Sequence, residues 1–291
     1  MSRAIRLKEY APCASSRFSP PDWYMNQVNS SFVRKEFVIN TDQNGFIKPY
    51  ADSADSERSI IVLGDSVVES MYMDESLRIC AMLDKYVNQQ SDHNLRVLNA
   101  GYSGATLLHA FNVLLNKIVP LNPTAVVIMT GIVDVDVIER KASFWTNDKW
   151  LEPIITLDRD NPSRDNDLTD DLRIQHRFAI LNMFKCVSVE FGIPIWFATV
   201  PHQQNYNNDW VKTRMSETDF KKTVVGRRFV NNSTRIFCIK NDIPFFDLEL
   251  SLLDRDDIFY DFFHFNELGG SVAAQAFIDG GLVGHLNEVL R

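Results

Sequence analysis

Five short apolar runs, at about residues 59–64, 95–100, 124–130, 193–200 and 243–247, recur along the chain with helix-patterned stretches between them. Runs this continuously apolar suit strands covered on both faces, which is the condition of a parallel sheet. Parallel neighbours need crossovers, and the intervening segments carry helical spacing. Leu77, Cys80, Leu83 and Val87 share one helix face, and Leu107, Leu108, Phe111, Leu114, Leu115 and Ile118 mark another, ended by Pro120 and Pro123. Further helices are expected over about 171–191, stopped by Gly192 and Pro194, within 219–240, and from about 267 to the C-terminus. This alternation predicts an α/β fold: three α/β/α layers around a doubly wound, parallel, five-stranded sheet.

With 291 residues, 45% of them hydrophobic, the chain can bury one substantial core. The main domain is expected over 59–291. Residues 1–58 differ, being rich in aromatic, Pro, Ser and Asn residues, and Phe37–Asn40 and Gly45–Ile47 offer strand pieces around an Asp42-Gln43-Asn44-Gly45 turn. They read as a small β-rich N-terminal appendage packed on the core, whose aromatic residues either join that packing or wall a cleft. An insertion at about 135–170 exceeds what a crossover needs, and holds Phe144, Trp145, Trp150 and a polar run at 158–167. It reads as a lid or as a surface segment.

Chemistry enters with Gly64-Asp65-Ser66, directly after the first apolar run, and with Asp261-Phe262-Phe263-His264 far downstream. Functional groups of a parallel sheet gather where strands end and helices begin. A serine hydroxyl is a weak nucleophile, so it needs an imidazole to take its proton and a carboxylate to hold that imidazole in the right tautomer. Three-residue spacing lets Asp261 and His264 sit side by side on one turn.

Taken in order, Gly64-Asp65-Ser66, Asn99-Ala100-Gly101-Tyr102-Ser103-Gly104, Thr130-Gly131-Ile132-Val133-Asp134 and Asp261-Phe262-Phe263-His264 resemble the sequence blocks of the GDSL/SGNH hydrolases, over about residues 59–290. The resemblance implies a flavodoxin-like strand order, 2-1-3-4-5. It also implies Ser66 as nucleophile, His264 as base, Asp261 as its orienter, and an oxyanion hole built from the backbone N–H groups of Ser66 and Gly104. The family's oxyanion asparagine is absent, because Val133 stands at its place. Losing one such donor typically removes roughly 2.7 to 4 kcal/mol of transition-state stabilisation. Another donor replaces it, the chemistry demands less of the hole, or the domain keeps the fold without the activity.

The implied activity is a serine esterase acting on an O-acyl ester, such as an O-acetyl group on a carbohydrate. An O-acyltransferase using the same serine and a non-catalytic binding module are the alternatives. Asp65, Asp134 and His202 stand at the same strand ends and are candidate substrate contacts, each with a plainer reading. Asp65 would cap a helix, Asp134 would tie down its loop, and His202 would be structural.

The net charge of −8, with a pI near 5.3, opposes general nucleic-acid binding or attachment to anionic lipid. Cys13, Cys80, Cys186 and Cys238 are scattered without zinc-site or redox spacing, and no phosphate-cradling glycine loop or His-Glu-x-x-His pattern occurs. No metal and no cofactor are therefore expected, and the partner is a small-molecule or carbohydrate ester. The first residues lack the apolar core of a secretory signal, and no run reaches a membrane span, so a cytoplasmic protein is expected. Oligomeric state is left open.

Overall fold

The computed structural model describes residues 3–50, 58–91, 94–156 and 168–291. Its centre is a parallel sheet of β1 (Ser59–Gly64), β2 (Arg96–Gly101), β3 (Ala125–Met129), β4 (Ile195–Ala198) and β5 (Phe245–Phe246). The strands lie in the order β2-β1-β3-β4-β5. Ile61 of β1 aligns with Leu98 on one side and Val126 on the other, so β1 is an interior strand, hydrogen-bonded along both edges.

Side chains of β1 alternate between two cores. Ile60 and Val62 join one cluster with residues of α2 (Ile79–Gln90), α7 (Glu267–Asp279) and α8 (Leu282–Val289). Ile61 and Leu63 join the other, with α3 (Leu107–Val113), α5 (Asp170–Phe191) and α6 (Glu217–Asn241). Both faces of the sheet are thereby covered. Each fully buried Val, Leu or Ile contributes about 1.5–3 kcal/mol relative to exposure, so these two layers dominate stability. Two shorter helices complete the frame used below, α1 (Ser66–Glu69) and α4 (Ile132–Glu139).

Local details depart from the sequence expectations in two places. The second expected helix does not run regularly to Ile118: after Val113 its hydrogen bonding widens to a π-helical turn at Leu114–Ile118. The C-terminal helix is two helices, because Gly280 closes α7 and Gly281, at φ +94°, starts α8 in a left-handed conformation. The expected Asp42–Gly45 turn is present, with Asp42 Oδ1 accepting the N–H groups of Asn44 and Phe46, and it closes a short antiparallel bridge: Thr41 faces Ile47, the Asp42 N–H donates to Phe46 O at 2.9 Å and the Lys48 N–H to Asn40 O at 2.9 Å. On its other side Phe37–Asn40 pairs with Ser15–Phe18, while the Ile47 N–H donates to Asn99 O of β2 at 2.8 Å. Phe46, fully buried on the α3 side, docks the tip of this small ladder on the core.

The N-terminal residues also reach the insertion, since Arg3–Ile5 forms an antiparallel pair with Ile154–Thr156. The expected polar run at 158–167 lies outside the described residues, and so does the stretch 51–57 before the expected domain boundary. Among the described residues no helix is long and apolar enough to cross a membrane.

Candidate active site

β1 ends at Gly64, and Asp65 caps the short α1 that follows, its carboxylate accepting the Val67 N–H at 3.0 Å. Ser66 is the first residue of that helix, at the C-terminal end of the strand. A helix leaves its first N–H groups without intrahelical acceptors, so the Ser66 N–H is a donor aimed out of the helix end.

His264 arrives from the other end of the chain on a loop just before α7. Asp261 shapes that loop: its Oδ1 accepts the backbone N–H of Phe263 at 2.9 Å and of His264 at 2.7 Å. Its Oδ2 lies 2.6 Å from His264 Nδ1, and His264 Nε2 lies 2.8 Å from Ser66 Oγ. A carboxylate only accepts, so Nδ1 carries the ring proton and Nε2 is left to accept from the serine hydroxyl. The ring is held by Tyr260, stacked at a centroid distance of 5.6 Å, and by Phe263 at 4.4 Å. Burial alone would lower the His264 pKa, but the charge and hydrogen bond of Asp261, with Asp65 and Glu69 behind it, raise it above the ordinary histidine value. An imidazole so placed is a stronger proton acceptor for the serine.

Gly104 supplies the facing backbone. It sits at φ +73°, and a Cβ there would come within 2.4 Å of Trp150 Nε1 and 2.6 Å of Lys8 Nζ, so both conformation and space call for glycine. Gly101 brings the segment close enough: a Cβ on it would lie 2.2 Å from the Glu69 N of α1. Around these groups opens a cleft of about 380 Å³ containing Ser66, Gly104 and His264. Its walls carry aromatic rings from distant parts of the chain: Trp23 and Tyr24, Tyr72, Trp150, and Tyr260 with Phe263. Both the N-terminal residues and the insertion thus contribute wall to the cleft.

No protein-family model matches the chain, and no curated protein matches it by sequence. Solved structures do match by shape. An α/β hydrolase enzyme from the metagenome of Lake Arreo, Spain, superposes with a TM-score of 0.51 at 17% identity, covering 80% of this chain and 98% of that one. The acetyl xylan esterase AlAXEase gives 0.51 at 14%, covering 76% and 98%, and a member of the lipolytic G-D-S-L family from Veillonella parvula gives 0.50 at 14%, covering 76% and 97%. The chain has the GDSL/SGNH hydrolase fold.

Within this SGNH fold the three further candidates stand apart from the cleft wall, each for a visible reason. Asp65 has no exposed surface; besides capping α1 it accepts the Ile132 N–H at 3.3 Å, tying the serine turn to the start of α4, and burial raises its pKa to about 6. Asp134 is equally buried and holds the Leu107 N–H at 2.8 Å and the Arg177 guanidinium. Arg177 in turn donates to Ser233 and Thr234, so one buried pair joins α3, α4, α5 and α6. His202 is buried beside Glu249 at 3.8 Å, and burial with the Arg227 charge pushes its pKa down to about 3, which keeps it neutral. All three hold buried structural positions, the plainer reading of each. Asp134→Ala is expected to cost about 3–5 kcal/mol by leaving Arg177 charged and unpaired in the interior. Urea denaturation reads this directly; a loss under about 1 kcal/mol would show that the pair is not a structural tie.

Val133 lines the SGNH cleft beside Ile132, so an apolar face stands where the family places its asparagine. Sequence reasoning missed Glu69, whose fully buried carboxylate accepts from Tyr10 at 2.6 Å and from the Ser103 hydroxyl, anchoring the residue before Gly104. Its only sequence signal is a position one helical turn after Ser66. Among the described residues no group of three or more His, Cys, Asp or Glu side chains converges as a metal cage.

Proposed function

We propose that the chain is a serine esterase that hydrolyses an O-acyl ester, with a short acyl group on a carbohydrate as its substrate class. The observation that carries this reading is the unbroken hydrogen-bonded series Ser66–His264–Asp261 opening into the cleft. Ser66 Oγ attacks the acyl carbonyl as His264 Nε2 takes its proton, giving a tetrahedral oxyanion that accepts from the N–H groups of Ser66 and Gly104. The imidazolium then returns the proton to the departing alcohol, leaving an acyl-serine. Water attacks that ester with His264 again as base, and the carboxylic acid leaves with Ser66 restored. Asp261 holds the ring through Nδ1 and stabilises the imidazolium.

A cleft of about 380 Å³ suits a small acyl group with a ring-sized acceptor, and the faces of Trp23, Tyr24 and Trp150 suit the apolar side of a sugar ring. The acetyl xylan esterase with the same fold supports that substrate class. Hydrolysis of p-nitrophenyl acetate through octanoate, followed by acetylated oligosaccharides, tests the reading. Turnover should be greatest for the shortest acyl chains, and a parent protein inert toward every ester would overturn it.

The pH dependence has a definite sign. A protonated His264 cannot accept the serine proton, so kcat/KM is lost as pH falls through the pKa of that ring. Because the folded-state pKa is raised, the acid limb is expected above the ordinary value of 6.5. A profile from pH 5 to 8 with its midpoint at or below 6.5 would contradict the assigned Asp261–His264 coupling.

A further inference from the structure

The residue behind the oxyanion glycine is a buried cation. Lys8, only 3% exposed, donates from Nζ to Gly104 O at 2.7 Å and to Ser103 O at 3.3 Å, and its ammonium lies 4.6 Å from the centroid of the Trp150 ring. Its hydrogen bonds go to carbonyl groups, and Glu69 and Asp148 act on it as nearby charges. A lysine buried in this way is costly, and a neutral side chain could fill the same volume.

The Ser103 carbonyl and the Gly104 N–H belong to one peptide group. In a trans peptide the two point in opposite directions, so a positive charge at the oxygen draws electrons from the nitrogen end and makes the N–H a stronger donor. On the other side of Ser103, Glu69 fixes the hydroxyl of the same residue. The peptide is thereby held and polarised from behind, in the same cleft that Val133 lines with an apolar side chain.

We propose that Lys8 is a positioning residue of the oxyanion hole, its ammonium polarising the Ser103–Gly104 peptide so that the Gly104 N–H binds the developing oxyanion more strongly. This rests on the esterase reading above. The N-terminal segment then completes the site electrostatically as well as walling it. The charge is also lost within an accessible range: burial first, then the nearby Arg6 charge, lowers the Lys8 pKa to about 8, while Glu69 and Asp148 act in the opposite direction. Two titratable neighbours do not change state there: burial and Lys8 itself push His109 down to about 4, and Tyr10 is raised far above its ordinary value.

The test compares the parent, Lys8→Met and Lys8→Arg on p-nitrophenyl acetate from pH 6 to 10, with Ser66→Ala as the blank. Lys8→Met should lower kcat about 10- to 100-fold, less than the roughly 10²–10³ lost with a direct donor, and leave KM within about twofold. The parent should show an alkaline loss of kcat centred near pH 8. Lys8→Arg, charged throughout, should keep activity at neutral pH and lack that limb. A folded Lys8→Met with parental kcat would overturn the proposal while leaving the esterase reading intact. If Lys8→Met does not fold, as read by circular dichroism, the profiles of the parent and Lys8→Arg decide, and an alkaline limb that is absent in the parent or unchanged in Lys8→Arg overturns it. A parent without Ser66-dependent turnover removes both the reading and the proposal.

Discussion

Ser66→Ala is expected to lower kcat for ester hydrolysis on the order of 10⁶-fold, the size of effect that follows removal of a triad serine. No neighbouring hydroxyl can take over. Ser103, the nearest alternative along the cleft wall, donates its proton to Glu69 and has no imidazole at its oxygen, whereas Ser66 Oγ is 2.8 Å from His264 Nε2. KM should change little, because the methyl of alanine keeps the wall of the cleft intact and the lost interaction belongs to the reaction. Burst kinetics with p-nitrophenyl acetate give a second readout: the parent should release a stoichiometric burst and the variant none. Residual activity within 100-fold of the parent would exclude Ser66 as the nucleophile.

Asp261→Asn is expected to lower kcat about 10⁴-fold while leaving the fold in place. The backbone decides which way the new amide faces. Phe263 N–H and His264 N–H both donate to Oδ1, so the asparagine oxygen stays on those donors and its NH₂ takes the position of Oδ2, 2.6 Å from His264 Nδ1. Nδ1 must then accept, the ring proton moves to Nε2, and the imidazole presents a donor where Ser66 needs an acceptor. The ring also loses the charge that raises its pKa. Loss of kcat with an unchanged thermal melt is the expected pair of results; a decrease below 10-fold would show that Asp261 does not set the tautomer.

Much of this architecture was legible in the residues, and the parts that were not share a cause. Buried parallel strands must be apolar on both faces, so the Ile60–Leu63 run announced both its own position and the type of sheet. Ser66, Asp261 and His264 could be read because strand-end placement and three-residue spacing are local patterns. The wall of the cleft was legible only as one of two readings of the appendage and of the insertion: Trp23, Tyr72 and Trp150 meet only after both have docked, and no local period records that meeting. Nor does one record Lys8 and Glu69, which come together at Ser103 from positions about 60 residues apart. Asp65, Asp134 and His202 stayed open between substrate contact and structural tie for the opposite reason. Each stands at the strand-end edge where substrate contacts gather, yet that edge also needs buried polar ties to hold its loops, and nothing local separates the two uses.

The N-terminal residues therefore carry more of the site than their composition suggested. Lys8 reaches the Ser103–Gly104 segment, Tyr10 holds the Glu69 carboxylate that anchors Ser103, and Trp23 and Tyr24 face the cleft. A truncation at residue 58 would strip one wall, the Lys8 contact to Gly104 and the Tyr10 bond to Glu69 from the site even where the sheet itself folds.

Reaction with a fluorophosphonate, followed by peptide mass spectrometry, tests the central claim most directly, because the probe needs an activated serine and no knowledge of the natural ester. One adduct per chain, on the peptide containing Ser66, is the expected result, with none formed by a folded His264→Ala variant. A folded parent that remains unlabelled, or one labelled elsewhere, would contradict the assignment of Ser66 as an activated nucleophile.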